Sequence, residues 1–145
     1  MKLTGKKIIP LLLILSFNAY AEETLSFHCM YTERTHFLED SIDLEYLTSG
    51  DLNTTLKIFP ESKYVIFDSS IFHKNRKANY IEKGNSINWA TGTLIDSTGY
   101  MLKDFFELNR ISGILSWDSY SEKPDNKMKK YANYRGNCKK LEPLF

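Results

Sequence analysis

The sequence predicts an all-β protein: a single small antiparallel barrel or sandwich of about seven or eight strands. Three observations predict it. Apolar residues alternate with polar ones in short runs and almost never recur at a helical period. Turn residues separate these runs at intervals of about ten to fifteen positions. Aromatic residues, which favour strands, are abundant, with nine Phe, nine Tyr and two Trp in 145 residues.

The first 21 residues have the pattern of a secretory signal peptide. Lysines precede an apolar run from Ile8 to Phe17, and Ala19-Tyr20-Ala21 supplies small residues before a cleavage site. The apolar run is too short for a transmembrane helix. We therefore predict that residues 22–145 form a single β domain. The lysine-rich start is typical of bacterial export, so the predicted location is the periplasm, with secretion as the alternative.

The two cysteines, Cys29 and Cys138, lie near the two ends of the predicted mature chain. Exported chains form disulfides, and two cysteines most simply form one. We therefore predict a Cys29–Cys138 bond, which places the first strand beside the last. In the chain-entropy model, closing a loop of about 110 residues stabilises the fold by roughly 4–5 kcal/mol. A closed barrel requires its first and last strands to be adjacent, and so does a sandwich whose edges are joined by a disulfide.

Charge argues against partners that bind by general electrostatic attraction. The predicted signal peptide carries three of the 19 basic residues and none of the 18 acidic ones. The remaining net charge of about −2 gives no support for nucleic-acid or membrane binding. Acids dominate residues 22–61 and bases dominate residues 123–140. We expect two solvated faces that attract each other, with a basic surface for an anionic partner as the alternative.

Apolar runs in the first half of the mature chain predict the following strands: Leu25–Tyr31, Ile42–Tyr46, Thr55–Ile58 and Tyr64–Phe67. The first alternates strictly, which places Cys29 on its inner face and His28 on its outer face. The second also alternates, although a helix is an alternative there. Pro60 ends the third strand. The fourth run is dense enough to predict a strand that is buried on both faces.

The second half predicts a polar loop or sheet edge over Ser69–Ala78, followed by further strands: Asn79–Glu82, Ser86–Ala90, Met101–Asn109, Ile114–Trp117 and Tyr131–Cys138. Gly84-Asn85 and Gly113 supply the turn conformations of two hairpins. The second hairpin has a predicted inner face of five apolar residues: Leu102, Phe106, Leu108, Leu115 and Trp117. A polar loop over residues 121–126 precedes the last strand.

No catalytic or metal-binding set emerges from the sequence. No spacing among His28, His36 and His73 matches a zinc pattern such as His-Glu-x-x-His, so we predict no metal and no cofactor. No serine lies in Gly-x-Ser-x-Gly, and the disulfide uses both thiols. Acidic pairs such as Glu39-Asp40 have no feature that marks them as a glycosidase pair. We therefore predict that the protein is not an enzyme.

Trp89 and Trp117 are the candidate ligand-binding residues. Both lie in alternating strands among apolar neighbours, a position typical of core packing. Stacking on a ligand inside a barrel mouth is the alternative role. The basic run Lys74–Lys77 predicts a solvated loop, or a contact with an anionic group such as a phosphate.

One resemblance comes from the C-terminal part of the chain. Phe106–Leu115 is similar to a hairpin in many small, uncharacterised exported proteins of proteobacteria. In those proteins a strand enters an Asn/Asp-Arg-x-Ser/Thr-Gly turn, as at Asn109–Gly113, and a Gly-x-Cys follows, as at Gly136–Cys138. The resemblance covers about fifty residues. It implies an all-β fold and an exported location, with no activity. The side chain of Arg110 can reach neighbouring carbonyls or acids, so we assign it a structural role.

Three functions follow from these observations, in decreasing order of preference. The first is an exported binding or inhibitory module for a protein or a cell-envelope ligand, by analogy with small inhibitors of cell-wall hydrolases and envelope immunity proteins. The second is a carrier with a cavity lined by Trp89 and Trp117. The third is an enzyme that acts on envelope material. A cavity between the two tryptophans would favour the carrier, and a filled core would favour the binding module.

Overall fold

The computed structural model describes residues 22–48, 52–69, 74–94, 97, 99–123, 125 and 128–142. The predicted signal peptide, His73 and most of the predicted 121–126 loop beyond Lys123 lie outside this description. Nine strands are present in the described residues: β1 (Leu25–Phe37), β2 (Ile42–Tyr46), β3 (Asn53–Phe59), β4 (Tyr64–Ser69), β5 (Arg76–Lys83), β6 (Ser86–Leu94), β7 (Met101–Asn109), β8 (Ile114–Glu122) and β9 (Met128–Leu141). The all-β prediction is confirmed. The described part of the chain contains no helix capable of crossing a membrane.

The strands form a closed antiparallel barrel with one extra strand. β1 and β3–β9 pair in chain order, and β9 returns to pair with β1. β2 lies outside this circuit and pairs only with β1 among the described strands. One edge of β1 is shared, because β3 pairs with Leu25–Met30 and β2 pairs with Glu33–Phe37. The structure therefore decides between the two predicted architectures in favour of the barrel.

The disulfide closes the barrel. Cys29 on β1 and Cys138 on β9 are direct cross-strand partners, with Cα atoms 3.9 Å apart, although 109 positions separate them in the sequence. This confirms the predicted bond and the predicted neighbourhood of the first and last strands.

The barrel interior is layered along its axis, because cross-strand partners share a face. An apolar layer contains Ile87, Leu108 and Leu115, all at most 1% exposed. The next residue pair along these strands gives the aromatic layer: Trp89, Phe106, Trp117 and Tyr134. Beyond it lies the polar layer: Thr91, Asp104 and Ser119. The predicted inner face of the β7–β8 hairpin is confirmed, with Leu102 half-buried near the barrel end.

The aromatic layer fills the middle of the barrel with stacked rings. Ring centroids lie 5.2 Å apart for Trp89–Phe106, 5.5 Å for Phe106–Trp117 and 4.3 Å for Trp117–Tyr134, with interplanar angles of at most 20°. Tyr31 adds a tilted contact to Trp117 at 5.8 Å. Aromatic pairs of this kind contribute roughly 0.5–1.5 kcal/mol each beyond their buried area. The layer therefore adds continuous aromatic packing across β6–β9.

The Asn109–Gly113 turn has a structural explanation. Asn109 Oδ1 accepts hydrogen bonds from the backbone N–H groups of Ile111 and Ser112 at 3.0 and 2.9 Å. Gly113 has φ of +70°, and a Cβ there would lie 2.9 Å from the carbonyl oxygen of Cys138. Arg110 donates to the Glu82 carboxylate at 3.3 Å and to the Gly84 carbonyl at 3.1 Å. The predicted contacts of Arg110 with a neighbouring carbonyl and a neighbouring acid are confirmed.

Three local predictions are wrong. β8 continues to Glu122, so the first two residues of the predicted 121–126 loop belong to a strand. β4 ends at Ser69 and β5 begins at Arg76, so the predicted loop or edge over Ser69–Ala78 includes four strand residues, while residues 70–73 lie outside the described chain. β4 is buried on only one face, because Val65 and Phe67 are fully buried whereas Tyr64 and Ile66 are half-buried. The outer face of β4 has only partial cover: the Phe59 ring stacks on Tyr64 at 4.3 Å.

Candidate functional site

The structure places the two predicted ligand-binding tryptophans in different surroundings. Trp117 is 2% exposed, its ring lies between Phe106 and Tyr134, and its Nε1–H donates to Asp104 at 2.8 Å. The protein therefore already uses both faces and the N–H of this indole. Trp89 is 4% exposed and stacks on Phe106, but its Nε1 has no hydrogen-bond partner among the described residues. The sequence offered no reason to assign the two residues different roles. In the structure, Trp117 Nε1 has a hydrogen-bond partner, whereas Trp89 Nε1 has none among the described residues.

Asp104 is a buried carboxylate that the sequence analysis missed. It is 3% exposed and accepts hydrogen bonds from Trp117 Nε1 and from Ser119 Oγ, the latter at 2.5 Å. Its position follows from the alternation Leu102-x-Asp104-x-Phe106, which puts it on the predicted inner face. These contacts fix the orientation of the Trp117 ring, so Asp104 supports the aromatic layer from the polar side.

No metal centre is formed by the described residues, since no three His, Cys, Asp or Glu side chains among them are grouped to hold an ion. His28 is half-buried on the outer face of β1. His36 Nε2 lies 3.9 Å from Glu45 Oε2 on the neighbouring strand.

Arg76 also differs from its prediction as part of a solvated loop. Its guanidinium donates to the Thr91 and Thr93 hydroxyls at 3.2 Å each and to the Gly92 carbonyl at 3.0 Å. The Lys77 ammonium lies 3.8 Å from the centroid of the Tyr64 ring. Half of the predicted basic loop is therefore tied to the barrel wall, because β5 begins earlier than its composition indicated.

The most exposed described strand is β2, which lies outside the barrel circuit, and we call the side of β2 that faces away from β1 the β2 edge. All five residues of Ile42–Tyr46 are exposed. Ile42, Leu44 and Tyr46 are 70%, 51% and 74% exposed. They lie opposite Phe37, Thr35 and Glu33, so they share the outer face of the β1–β2 hairpin. An exposed strand edge with large apolar side chains is a template for pairing with another chain.

Backbone hydrogen bonds show which groups point to the β2 edge. The N–H of Leu47 donates to the Thr32 carbonyl, and the N–H of Leu38 donates to the Ser41 carbonyl, both at 2.9 Å. Hydrogen-bonded and non-hydrogen-bonded pairs alternate in an antiparallel ladder. The backbone groups of Asp43 and Glu45 therefore face β1, and those of Ile42, Leu44 and Tyr46 face outward along the β2 edge.

The acidic side chains around the β2 edge are only partly neutralised. Arg34 Nε donates to Glu45 Oε2 at 3.0 Å, and this hydrogen-bonded carboxylate raises the pKa of the Arg34 guanidinium above its ordinary value. Lys129 Nζ lies 3.6 Å from Glu39 Oε1, an ion pair that joins the acidic and basic segments as expected from their charges. Asp40 and Asp43 are exposed beside these pairs. The surroundings of the edge therefore retain negative charge.

Comparison with known proteins adds no family. No model of a known protein family matches the chain, and no curated protein is significantly similar to it. The resemblance of Phe106–Leu115 to exported proteobacterial proteins stays a prediction. The functional proposals therefore depend on the sequence and on the geometry of the described residues.

Proposed function

We propose that this protein is an exported binding module, of binding or inhibitory type, which holds an extended segment of a partner protein along the β2 edge. One observation carries the proposal. β2 is exposed, pairs only with β1 among the described strands, and presents an apolar outer face beside an otherwise closed barrel. Closed barrels remove their edges, and natural edge strands are usually blunted by charge or proline. Here Ile42, Leu44 and Tyr46 leave the outer face of the edge apolar.

The backbone supports strand addition as the binding mode. Outward-facing N–H and C=O groups recur at Ile42, Leu44 and Tyr46, which is the spacing that an added antiparallel or parallel strand requires. Main-chain hydrogen bonds would supply affinity, and the side chains of the edge would supply specificity.

Charge and alternation define the partner segment. The outer face of β2 is apolar, and the opposite face carries Asp43 and Glu45, with Asp40 in the adjoining turn. A complementary strand therefore alternates apolar residues with lysine or arginine, so that its basic side chains lie near Asp40 and Asp43. The partner is accordingly a protein with an exposed segment of that pattern.

The interior also favours binding through the surface. The aromatic layer occupies the centre of the barrel, and Trp117 has its ring faces covered by protein. A filled core is the arrangement that favours a binding module over a carrier with a cavity between the two tryptophans. The proposal involves no catalytic step, cofactor or nucleic acid.

The periplasm is the proposed location, with secretion as the alternative. The signal-peptide pattern in the first 21 residues motivates it. The Cys29–Cys138 disulfide is compatible with it, because disulfides persist in oxidising compartments. Mass spectrometry of the exported protein tests this part, with an N-terminus at Glu22 as the expected result.

The binding mode is tested by capture from periplasmic extract with the disulfide-bonded protein as bait, read by quantitative mass spectrometry. Leu44→Pro removes an outward N–H without touching the ladder to β1, and proline is tolerated on strand edges. We expect it to reduce capture of the partner by at least about tenfold. Ile111→Ala is the matched control, because it removes an exposed apolar side chain, 77% exposed, from the β7–β8 turn.

Two outcomes would contradict this function. A partner that Leu44→Pro captures as well as the unaltered protein does not use the β2 edge. A dimer of the protein itself that Leu44→Pro converts to monomers, measured by size-exclusion chromatography with light scattering, would make a second copy the occupant. Thermal unfolding of the variant confirms that its barrel remains intact.

A further inference from the structure

A pocket of about 220 Å³ lies at the end of the barrel where β1 begins, whereas β2 pairs with the far half of β1. Three direct cross-strand pairs line it: Leu25–Ile58, Phe27–Lys140 and Glu82–Ile87. Direct partners share a face, and Ile58 and Ile87 belong to the buried core, so these strand residues all lie on the inner face of the barrel. We call this pocket the Lys140 pocket.

The floor of the Lys140 pocket is apolar. Ile58, Tyr80 and Ile87 are 4%, 6% and 1% exposed, and the half-buried side chains of Leu25 and Phe27 stand beside them. Ile87 is part of the apolar layer, which therefore separates the pocket from the aromatic layer. A partly open apolar pocket of this kind favours the apolar part of a small ligand, because binding removes that surface from water.

The rim of the pocket carries more positive than negative charge. Its charged lining side chains are Glu82, Arg110 and Lys140. Glu82 is already matched, since its Oε1 lies 3.3 Å from Arg110 Nη1 and 3.1 Å from Lys63 Nζ. Lys140 has no ion-pair partner among the described residues. Lys140 is therefore the cation of the rim that can pair with an anion.

Hydrogen bonds between neighbouring turns hold the rim in place. The N–H of Arg110 donates to the Asn85 carbonyl at 2.9 Å, and its guanidinium donates to the Gly84 carbonyl at 3.1 Å. The N–H of Tyr80 donates to the Lys63 carbonyl at 3.0 Å, which joins the β3–β4 turn to β5. A preformed rim has little conformational freedom to lose when a ligand binds.

We propose that the Lys140 pocket binds a small amphipathic monoanion, a molecule with one carboxylate and a short apolar body. The carboxylate pairs with the Lys140 ammonium, and the apolar body lies against Leu25, Phe27 and Ile58. One unpaired cation matches a single negative charge. The volume corresponds to roughly seven waters at about 30 Å³ each, which is too small for a phospholipid. This site is independent of the β2-edge function.

Four probes test the ligand class on the unaltered, disulfide-bonded protein. Hexanoate carries both features, and hexanamide replaces its carboxylate by a neutral group of similar shape. Hexylammonium reverses the charge, and acetate lacks the apolar body. Titrations are followed by the backbone amide signals in nitrogen–proton correlation spectra.

We expect hexanoate to shift the amide signals of Leu25, Phe27 and Ile58 saturably. Hexanamide and hexylammonium should bind at least about threefold more weakly, because they lack the ion pair with Lys140. Acetate should show no saturation over the same range, because it buries little apolar surface. Added salt should weaken hexanoate and leave hexanamide unchanged, since it screens only the ion pair.

Two adjacent lysines locate the charge. Lys140→Gln removes the cation of the rim from an exposed position, and should weaken hexanoate at least about threefold without changing hexanamide. Lys139→Gln is the matched control, because Lys139 is also exposed but lies opposite His28 on the outer face of β9. It changes the net charge by the same amount and should leave hexanoate binding unchanged.

The proposal is overturned if hexanamide or hexylammonium binds as tightly as hexanoate, or if the saturable shifts avoid Leu25, Phe27 and Ile58. It is also overturned if Lys140→Gln retains full binding or Lys139→Gln weakens hexanoate equally. The comparison of probes needs no variant, so it decides the ligand class even if a substitution prevents folding. Leu44→Pro should bind hexanoate like the unaltered protein, so failure of this site and failure of the β2-edge function are distinguishable.

Discussion

The barrel wall and the β1–β2 hairpin share an alternating sequence pattern, but they turn opposite halves of it outward. In β7 the apolar residues Phe106 and Leu108 point inward and are 2% and 1% exposed. In β2 the apolar residues point outward, with Leu44 51% exposed, while Glu45 lies on the inner side. Alternation therefore identifies two different faces of a strand. Which face is covered depends on the neighbouring strand.

The neighbour that decides the orientation of β2 is β1. Arg34 lies opposite Tyr134 of the aromatic layer on one side and opposite Glu45 on the other. The inner surface thus changes from aromatic to charged at Arg34, and the ion pair with Glu45 continues that charged surface onto β2. The apolar half of β2 has no described core to cover it and stays outside.

The largest difference between the two regions is expected for aromatic truncation. Trp117→Ala removes the central ring of the aromatic layer and leaves a cavity, so it should lower the free energy of unfolding by about 3–5 kcal/mol. Tyr46→Ala, at a side chain 74% exposed, should change it by less than about 0.5 kcal/mol. Urea denaturation of both variants measures the contrast. Equal losses would mean that β2 packs as a core strand.

The disulfide sharpens the comparison because it joins β1 to β9 within the barrel and does not involve β2. Cys29→Ser should lower the free energy of unfolding by roughly 2–5 kcal/mol, since the unfolded chain loses its constraint. Titration of thiols in the unfolded, unreduced protein should find none free, as the bond requires. Two reactive thiols per chain would show that the disulfide has not formed and does not help to close the barrel.

The tyrosines give a pH-dependent contrast between buried and exposed positions. Burial raises the pKa of Tyr31 far above its ordinary value of 10.0, so the folded protein keeps the phenol neutral while the unfolded chain ionises it. This contribution is fully present below pH 10 and is lost as the pH rises above that value, at up to about 1.4 kcal/mol per pH unit. Tyr31→Phe should flatten the decline, measured by urea denaturation from neutral to alkaline pH.

Tyr46→Phe is the control for this experiment. Its side chain is exposed in the folded protein, so the substitution should leave the alkaline decline unchanged. A decline in the Tyr31→Phe protein identical to that of the unaltered protein would contradict a contribution of Tyr31.

The smallest effect is expected on the β2 edge itself. Replacing Ile42, Leu44 and Tyr46 by threonine keeps strand propensity and removes exposed apolar surface. Each replacement should change the free energy of unfolding by less than about 0.5 kcal/mol. The triple variant should also associate less with itself, measured by light scattering at rising concentration. A large loss of stability would show that the outer face of β2 is covered.

The sequence predicted the strands of the barrel where local pattern and burial agree. The β7–β8 hairpin was placed with its turn and inner face because Leu108, Leu115 and Trp117 keep strict alternation around Gly113. The same alternation contained Asp104, which the predicted inner face left out because that face was built from apolar residues only. The strands β1, β8 and β9 run beyond their predicted ends, since polar residues there pair with neighbours distant in sequence.

The candidate sites were less predictable because both depend on how strands meet. The basic composition around Arg76 indicated a loop, yet pairing with β4 makes it a strand. β5 also changes its partner from β4 to β6 after Asn79, a property of register that no local pattern encodes. Trp89 was chosen from its residue type and its neighbours in the sequence. Nothing in the sequence indicated that its hydrogen bonding would differ from that of Trp117.

Because the first strand pairs with the last, the barrel and its disulfide can form only after nearly the whole chain has been synthesised. Cys29 is synthesised 109 residues before Cys138, a delay of roughly 5–20 s at typical elongation rates. During that time β1 lacks the neighbour that completes the barrel. With only two cysteines, however, the chain has a single intramolecular pairing, so oxidation cannot fix an incorrect one. Late closure is slow in this topology, but it is free of disulfide reshuffling within the chain.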